Sequence, residues 1–429
     1  MKKLVALSIA AAITSGAAMA ANVIVNETTT NKAVAETHDF FLEKGNRVKL
    51  QFPIAESHFA WQNISRFYNT AQIERDGAVY PFPYSIDANI GNIKATVHGE
   101  ERTLNQHLDN FPVDAFLVVK NGEIVFERYN TMRKTDKHNW FSNSKITTGI
   151  ELAKLVEEGK VKEQDPVSKY IPELKGSAWD TVKVIDVANM ATGLNATEHD
   201  EPNPDSRTNP DQPFFKWLVS IGVFDGGSIQ KPLDVLSEMT RRQEAGKTFE
   251  YNSINTFVLA RIIENVRGLP MNEIISRDLW QKMGANNDAY TVVSPVGGYP
   301  LMFFSMNSTI EDMAKFGMLL TPSGSKLGDG AVSKEVVQRI QASGKQEAFE
   351  GGYVGKVMTN SFSSDTNLKN GYMFDTIFAD GDLYKGGVGG QGIYISPDKD
   401  LVVTFFSTST GKNQEETYAR EIAKYFAKK

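Results

Sequence analysis

Two strand pairs near opposite ends of this chain constrain its fold more than any other feature. Ala115-Phe116-Leu117-Val118-Val119 is a continuous apolar run, Asn121-Gly122 is a strong hairpin signal, and residues 123–129 supply the returning strand. Towards the other end, Gly392-Ile393-Tyr394-Ile395 leads into a turn at Ser396-Pro397-Asp398-Lys399-Asp400 and then into the apolar run 401–406. Between the pairs the pattern is mostly helical. Residues 182–190, 214–221, 233–244 and 253–266 carry helical periodicity. Ser308-Thr309-Ile310-Glu311 reads as a capping box ahead of Met313, Phe316, Leu319 and Leu320. Thr103 is placed to cap a short helix bearing Leu104 and Leu108. A last helix from Glu415 carries Tyr418, Ile422, Ala423 and Phe426 on one face. The expected architecture is α+β: an antiparallel sheet built from both ends of the chain, flanked by helices, with a mostly helical lobe inserted. Residues 101–145 and 295–429 form the expected sheet lobe, and residues 146–294 the helical one.

The sequence has 429 residues, enough for a large core. Its start reads as an export signal: Lys2 and Lys3, an apolar run over 4–13, and Ala18-Met19-Ala20 as a cleavage site, so residues 1–20 are removed and the mature chain begins at Ala21. No later stretch is long and apolar enough to span a bilayer. The expected location is the periplasm. Residues 21–100 hold too many aromatics for a disordered leader, among them Phe52, Phe59, Trp61 and Phe67, and are expected to wrap onto the body.

Composition removes several chemistries. There is no cysteine, which excludes disulfides, a thiol nucleophile and thiolate metal sites. The six histidines show no helical metal-ligand spacing. No G-x-S-x-G elbow is present. A net charge of −6 with scattered basic residues argues against a nucleic-acid partner.

The chemistry that remains centres on Ser142-Asn143-Ser144-Lys145. A serine hydroxyl is a poor nucleophile at neutral pH, and a deprotonated amine one helical turn away can accept its proton. Four other Ser-x-x-Lys matches begin at Ser228, Ser323, Ser396 and Ser409, but these sit among Gly and Pro in turns or loops. Ser142 alone opens an apolar helix, with Ile146, Ile150 and Ala153 at helical spacing and Gly159 as its stop. The simpler reading is that Ser142 or Ser144 is only an N-cap. To act as base, Lys145 must fall from a pKa near 10.4 by about 3 units, roughly 4 kcal/mol.

Two further stretches could complete such a site. Gly246-Lys247-Thr248-Phe249-Glu250-Tyr251-Asn252-Ser253 puts Tyr251 directly before an apolar helix. Tyr384-Lys385-Gly386-Gly387-Val388-Gly389-Gly390-Gln391 runs into the C-terminal strand pair, where glycines allow close backbone approach. Separately, these read as a core tyrosine and a turn. The span 195–212, rich in Asn, Asp and Pro, reads either as a lid or as a plain surface loop.

Taken together and in this order, these segments resemble the serine β-lactamase and penicillin-binding superfamily. Within it they are most similar to the class C-like branch of esterases and 6-aminohexanoate-dimer hydrolases. Asn189-Met190-Ala191-Thr192-Gly193-Leu194 and Ser308-Thr309-Ile310-Glu311-Asp312-Met313 add to the likeness, which spans roughly residues 103–425. The resemblance implies a β-lactamase/transpeptidase-like fold. It implies Ser142 as the acylated residue, Lys145 and Tyr251 as acid/base groups, and the backbone N–H groups of Ser142 and Val388 as the oxyanion hole. Lys385, Gly387, Asn252 and Ser253 are the implied substrate contacts. No metal or organic cofactor is implied.

Two departures matter: Gly386 stands where the family carries a threonine hydroxyl, and Asn252 and Ser253 shift the usual Tyr-x-Asn spacing. They favour a small ester or linear amide as substrate over a β-lactam or a D-amino-acid peptide. The rival of another class is a non-catalytic module that binds cell-wall peptide or a protein.

Overall fold

The computed structural model describes residues 31–43, 45–198, 206–224, 230–328, 330–411 and 414–428. The export signal at 1–20, and the middle of the 195–212 span, lie outside the described residues. Both strand pairs enter one seven-stranded sheet. Its strands are β1 (Val113–Lys120), β2 (Glu123–Tyr129), β3 (Lys369–Gly371), β4 (Phe374–Ile377), β5 (Leu383–Gly387), β6 (Gln391–Ser396) and β7 (Leu401–Ser407). Their spatial order is β2-β1-β7-β6-β5-β4-β3, and each neighbouring pair is antiparallel. The β1–β2 turn uses Asn121 at φ 53° and Gly122 at φ 77°, the left-handed pair that a two-residue hairpin of this twist requires. The two ends of the chain meet at β1 and β7, where Val119 lies opposite Val402.

The helices that matter for the site are α1 (Lys145–Glu157), α2 (Pro213–Ser220), α3 (Ser253–Arg267), α4 (Ile310–Met318) and α5 (Glu415–Ala427). Both α4 and α5 pack on β6 and β7. Since every residue of β7 is buried, they cover opposite faces of the sheet. That is why β7 reads as a largely apolar run rather than an alternating one.

Three local expectations change. The helix expected over 233–244 covers only Pro232–Ser237. Beyond it the chain is taken by tertiary pairing: Asn195 N–H donates to the Thr240 carbonyl at 2.9 Å and Arg242 N–H to Gly193 at 2.9 Å. The helix expected over 182–190 is likewise shorter, Val184–Ala188, and Met190 beyond it has φ 50°. The cap of α4 is Thr309, which accepts from Asp312 N–H at 3.2 Å. Ser308 instead accepts the Trp140 indole N–H at 2.9 Å, and Glu311 turns to Lys134 at 2.6 Å.

Residues ahead of the sheet are woven into the body. Strand Thr70–Ile73 pairs antiparallel with Ala289–Val292, in a second sheet that also holds Asn307–Ser308 and His138–Asn139. Helix Ser57–Gln62 lies beside β1, where His58 Nδ1 stands 3.2 Å from the buried Asp114 carboxylate. His138 Nε2 approaches the other Asp114 oxygen at 3.4 Å. The Asp114 carboxyl is thus linked both to this preceding segment and to the short strand that ends just before Ser142.

Candidate active site

Between His138–Asn139 and α1 the chain makes one tight 3-10 turn, Phe141–Ser144. Phe141 adopts φ 45°, a left-handed conformation that costs a bulky residue free energy of order 1–3 kcal/mol. Neighbours hold it there: the Asn139 carboxamide oxygen accepts Phe141 N–H at 3.0 Å, and Asn143 Nδ2 donates to the Trp140 carbonyl at 2.9 Å. Neither serine caps α1. Ser144 Oγ accepts Met306 N–H at 3.0 Å, and the side chain at the helix boundary makes no capping bond. Ser142 Oγ lies 3.0 Å from Lys145 Nζ.

Lys145 is fully buried, and its amine also donates to the Phe303 carbonyl at 2.5 Å. Burial pulls it down to about 7; the Glu198 carboxylate opposes that fall, while Lys385 and Arg207 add to it. A helix start, a desolvated pocket and a second cation therefore act in the same direction. In its neutral form the amine can donate to Phe303 and still offer a lone pair to the Ser142 hydroxyl.

Tyr251 arrives from the segment that enters α3. Its ring faces Lys145 Nζ at 5.2 Å, and its hydroxyl is hydrogen-bonded to the Ser142 side chain. Lys385 on β5 donates to Tyr251 Oη at 3.2 Å and to both oxygens of Asp375 on β4 at 2.8 Å. Burial first, then the Asp375 and Glu198 carboxylates, push the phenol well above its usual value. It therefore stays protonated at neutral pH. Burial also pulls Lys385 below its ordinary value, with Asp375 resisting.

The end of β5 abuts the turn: a Cβ placed on Gly387 would stand 3.0 Å from the Trp140 carbonyl oxygen. Ser142 and Val388 together line two adjoining cavities, of about 50 Å3 and 260 Å3. Gly387 lines the larger and Ser253 the smaller. Asn252 lines neither: its Oδ1 caps α3 by accepting Ile254 N–H at 2.9 Å, and its Nδ2 donates to the Ala196 carbonyl. Lys385 also faces inward, engaged by Asp375 and Tyr251 rather than open to the cleft. The position of the missing threonine hydroxyl is partly filled, since a Cβ on Gly386 would stand 2.8 Å from Tyr384 Oη. A larger cleft of about 1040 Å3, lined by Lys183, Asp186, Arg241 and Arg339, includes none of Ser142, Lys145 and Tyr251.

Three participants escape the sequence motifs. Glu198 accepts Ser253 N–H at 2.7 Å and pairs with Arg207, which places the described ends of the 195–212 span against the site. Asp375 is a buried acid in a fully buried strand, Phe374-Asp375-Thr376-Ile377, and an acid among such residues was a usable signal. Phe303 acts through its carbonyl, which side-chain identity does not encode.

The beta-lactamase family model matches residues 101–428 of this chain. A 6-aminohexanoate-dimer hydrolase from Paenarthrobacter ureafaciens is 30% identical over 308 residues, covering 71% of this chain and 75% of that protein. A solved structure from Bacillus anthracis, provisionally named a 6-aminohexanoate-dimer hydrolase, superposes with a TM-score of 0.71 at 21% identity, covering 87% of this chain and 94% of that one. A class C beta-lactamase superposes with a TM-score of 0.52 at 16% identity, covering 75% and 92%. At these identities the structural likenesses speak for the fold.

Proposed function

Since this chain belongs to the beta-lactamase family of serine hydrolases, we propose that it cleaves a small ester or linear amide through an acyl-enzyme on Ser142. The observation that carries this reading is the fully buried Lys145 amine, 3.0 Å from Ser142 Oγ and poised near neutrality. Neutral Lys145 takes the hydroxyl proton as Oγ bonds to the carbonyl carbon. Negative charge gathers on the carbonyl oxygen between the N–H groups of Ser142 and Val388. As the bond to the leaving oxygen or nitrogen breaks, Tyr251 gives up its proton to that atom. The proton on Lys145 then passes to the Tyr251 phenolate, whose ring lies beside that amine. Water then enters where the leaving group stood, and the same groups run in reverse to release the acid.

Lys385 holds a positive charge beside the phenol and is itself held by Asp375, so the roles supported for it are electrostatic and positional. Gly386 in place of the family's threonine removes one hydroxyl for a substrate carboxylate, which supports an uncharged ester or amide over a β-lactam. The leader ending at Ala20 supports action in the periplasm. N-terminal sequencing of the exported protein tests that part, with Ala21 the expected first residue and an unprocessed Met1 the opposing result.

A fluorophosphonate probe tests the chemistry. Covalent labelling that disappears in Ser142→Ala is expected. Absence of labelling on folded protein, or equal labelling of the variant, would overturn the proposal.

A further inference from the structure

Ser142 stands at the junction of two cavities that differ in size and lining. The smaller, about 50 Å3, is walled by Phe52, Phe214, Leu218, Phe224, Phe303 and Phe304. The larger, about 260 Å3, is bordered by Tyr251, Asp375, Tyr384 and Met358. Tyr251 borders the larger one only. Building on the hydrolase reading above, we propose that the phenylalanine-walled cavity receives the acyl part of the substrate, that this part is a short uncharged hydrocarbon chain of about four carbons, and that the leaving alcohol or amine occupies the larger cavity.

The direction follows from proton transfer. The atom that leaves must come within hydrogen-bond reach of the group that protonates it. Tyr251 is that group in the mechanism above, so the leaving side is the cavity Tyr251 borders. The acyl chain takes the remaining direction from the carbonyl carbon.

The size follows from volume. In the same measure a water takes about 10–15 Å3, so 50 Å3 admits roughly four heavy atoms and 260 Å3 roughly twenty. A short acyl chain with a bulky leaving group fits, and the reverse does not.

The charge follows from the lining. Glu198 and Arg207 are the ionisable side chains among the described residues that line the small cavity, and they pair with each other. The second Glu198 oxygen accepts Ser253 N–H. An ammonium or carboxylate at the tip of the acyl chain would have to break that pair or stay unmatched among phenyl rings, which is costly. A 6-aminohexanoyl group is both larger than the space and charged at its tip. Phe52 lies ahead of the region that the family model matches, so one wall of this cavity comes from a segment outside that region.

The test is kcat/KM of the full-length protein on p-nitrophenyl esters that share one leaving group: acetate, propionate, butyrate, hexanoate, octanoate, monosuccinate and 6-aminohexanoate. About a four-fold gain per added methylene is expected up to butyrate, the equivalent of ~0.8 kcal/mol each. A fall of ten-fold or more is expected by octanoate, and both charged esters should lie at least ten-fold below butyrate. Phe52→Ala, at a half-buried position, should move the optimum to hexanoate or longer, and Leu218→Phe should move it towards acetate.

A flat profile, an optimum that neither variant moves, or preference for a charged acyl group would overturn the proposal. Fluorophosphonate labelling of the same samples separates the two levels. Labelled enzyme with a flat profile defeats only the acyl assignment, whereas unlabelled folded enzyme defeats the hydrolase reading and this inference with it.

Discussion

Trp61 meets Phe141 edge-on with ring centroids 4.4 Å apart, and the same indole closes on Gly389, where a Cβ would stand 2.2 Å from Cζ3. Phe141 immediately precedes Ser142, and Gly389 immediately follows Val388. One fully buried side chain from the segment ahead of the family-matched region thus sits behind both proposed oxyanion donors. Its own N–H is spent on the Leu50 carbonyl at 3.0 Å, which fixes its orientation. Losing an oxyanion donor outright costs about 100- to 1,000-fold, so a slackened pair should cost less. Trp61→Phe is expected to lower kcat by about 10- to 100-fold while KM stays within about three-fold, with a boronate inhibitor weakened in parallel. Unchanged kcat in a folded variant would contradict this positioning role.

The acid limb of activity should report Lys145. The mechanism uses its neutral form, so kcat/KM should rise with pH through an apparent value of about 7. The Glu198 carboxylate raises that value and the Arg207 guanidinium lowers it. Glu198→Gln should therefore move the limb to lower pH, and Arg207→Met should move it to higher pH. A pH–rate series on the three proteins checks the opposed signs.

Lys145 should also mark the stability curve. Burial sets its folded value at about 7 against about 10.4 unfolded, so the unfolded chain binds the extra proton between those limits. Stability from this group therefore rises as pH increases from about 7 to 10, and the cost of burying it is greatest below about 7. That cost is at most about 5 kcal/mol. Lys145→Met is expected to abolish turnover and to flatten the dependence of Tm on pH over this window. A variant whose Tm tracks the wild type at every pH would argue against a buried, neutralised amine.

Asp114 makes a structural prediction independent of catalysis. Burial alone would raise its carboxyl, but the His138 and His58 imidazoles beside it win and hold it far below the usual carboxylate range. A depressed acid contributes stability that is present above about pH 4 and is lost as pH falls towards its folded value. Asp114→Asn should cost about 3 kcal/mol at pH 6, typical of removing one member of a buried pair. The gap from wild type should narrow below about pH 4. Urea titrations at pH 6 and pH 3 measure both.

Much of this architecture was readable in the sequence, and the reasons are local. Asn121-Gly122 dictates its own turn, and β7 is largely apolar because two helices cover it. The order of Ser142, Lys145, Tyr251 and Lys385 located four groups that do come together. The features that escaped are those set by distant chain. Residues 238–244 lose their helical pattern to pairing with residues 193–195. Ser308 gives up its expected cap because an indole from Trp140 claims its oxygen. Glu198, Asp375, Phe52 and Trp61 each act across long sequence separations, where periodicity carries no information.

The most direct test of the central claim is acid-quenched mass spectrometry during turnover of p-nitrophenyl butyrate. The account predicts a nitrophenol burst matching the enzyme concentration and one butyryl group on the peptide containing Ser142, with neither in Ser142→Ala. Steady turnover with no acylated peptide, or an acyl group on any other residue, would contradict it.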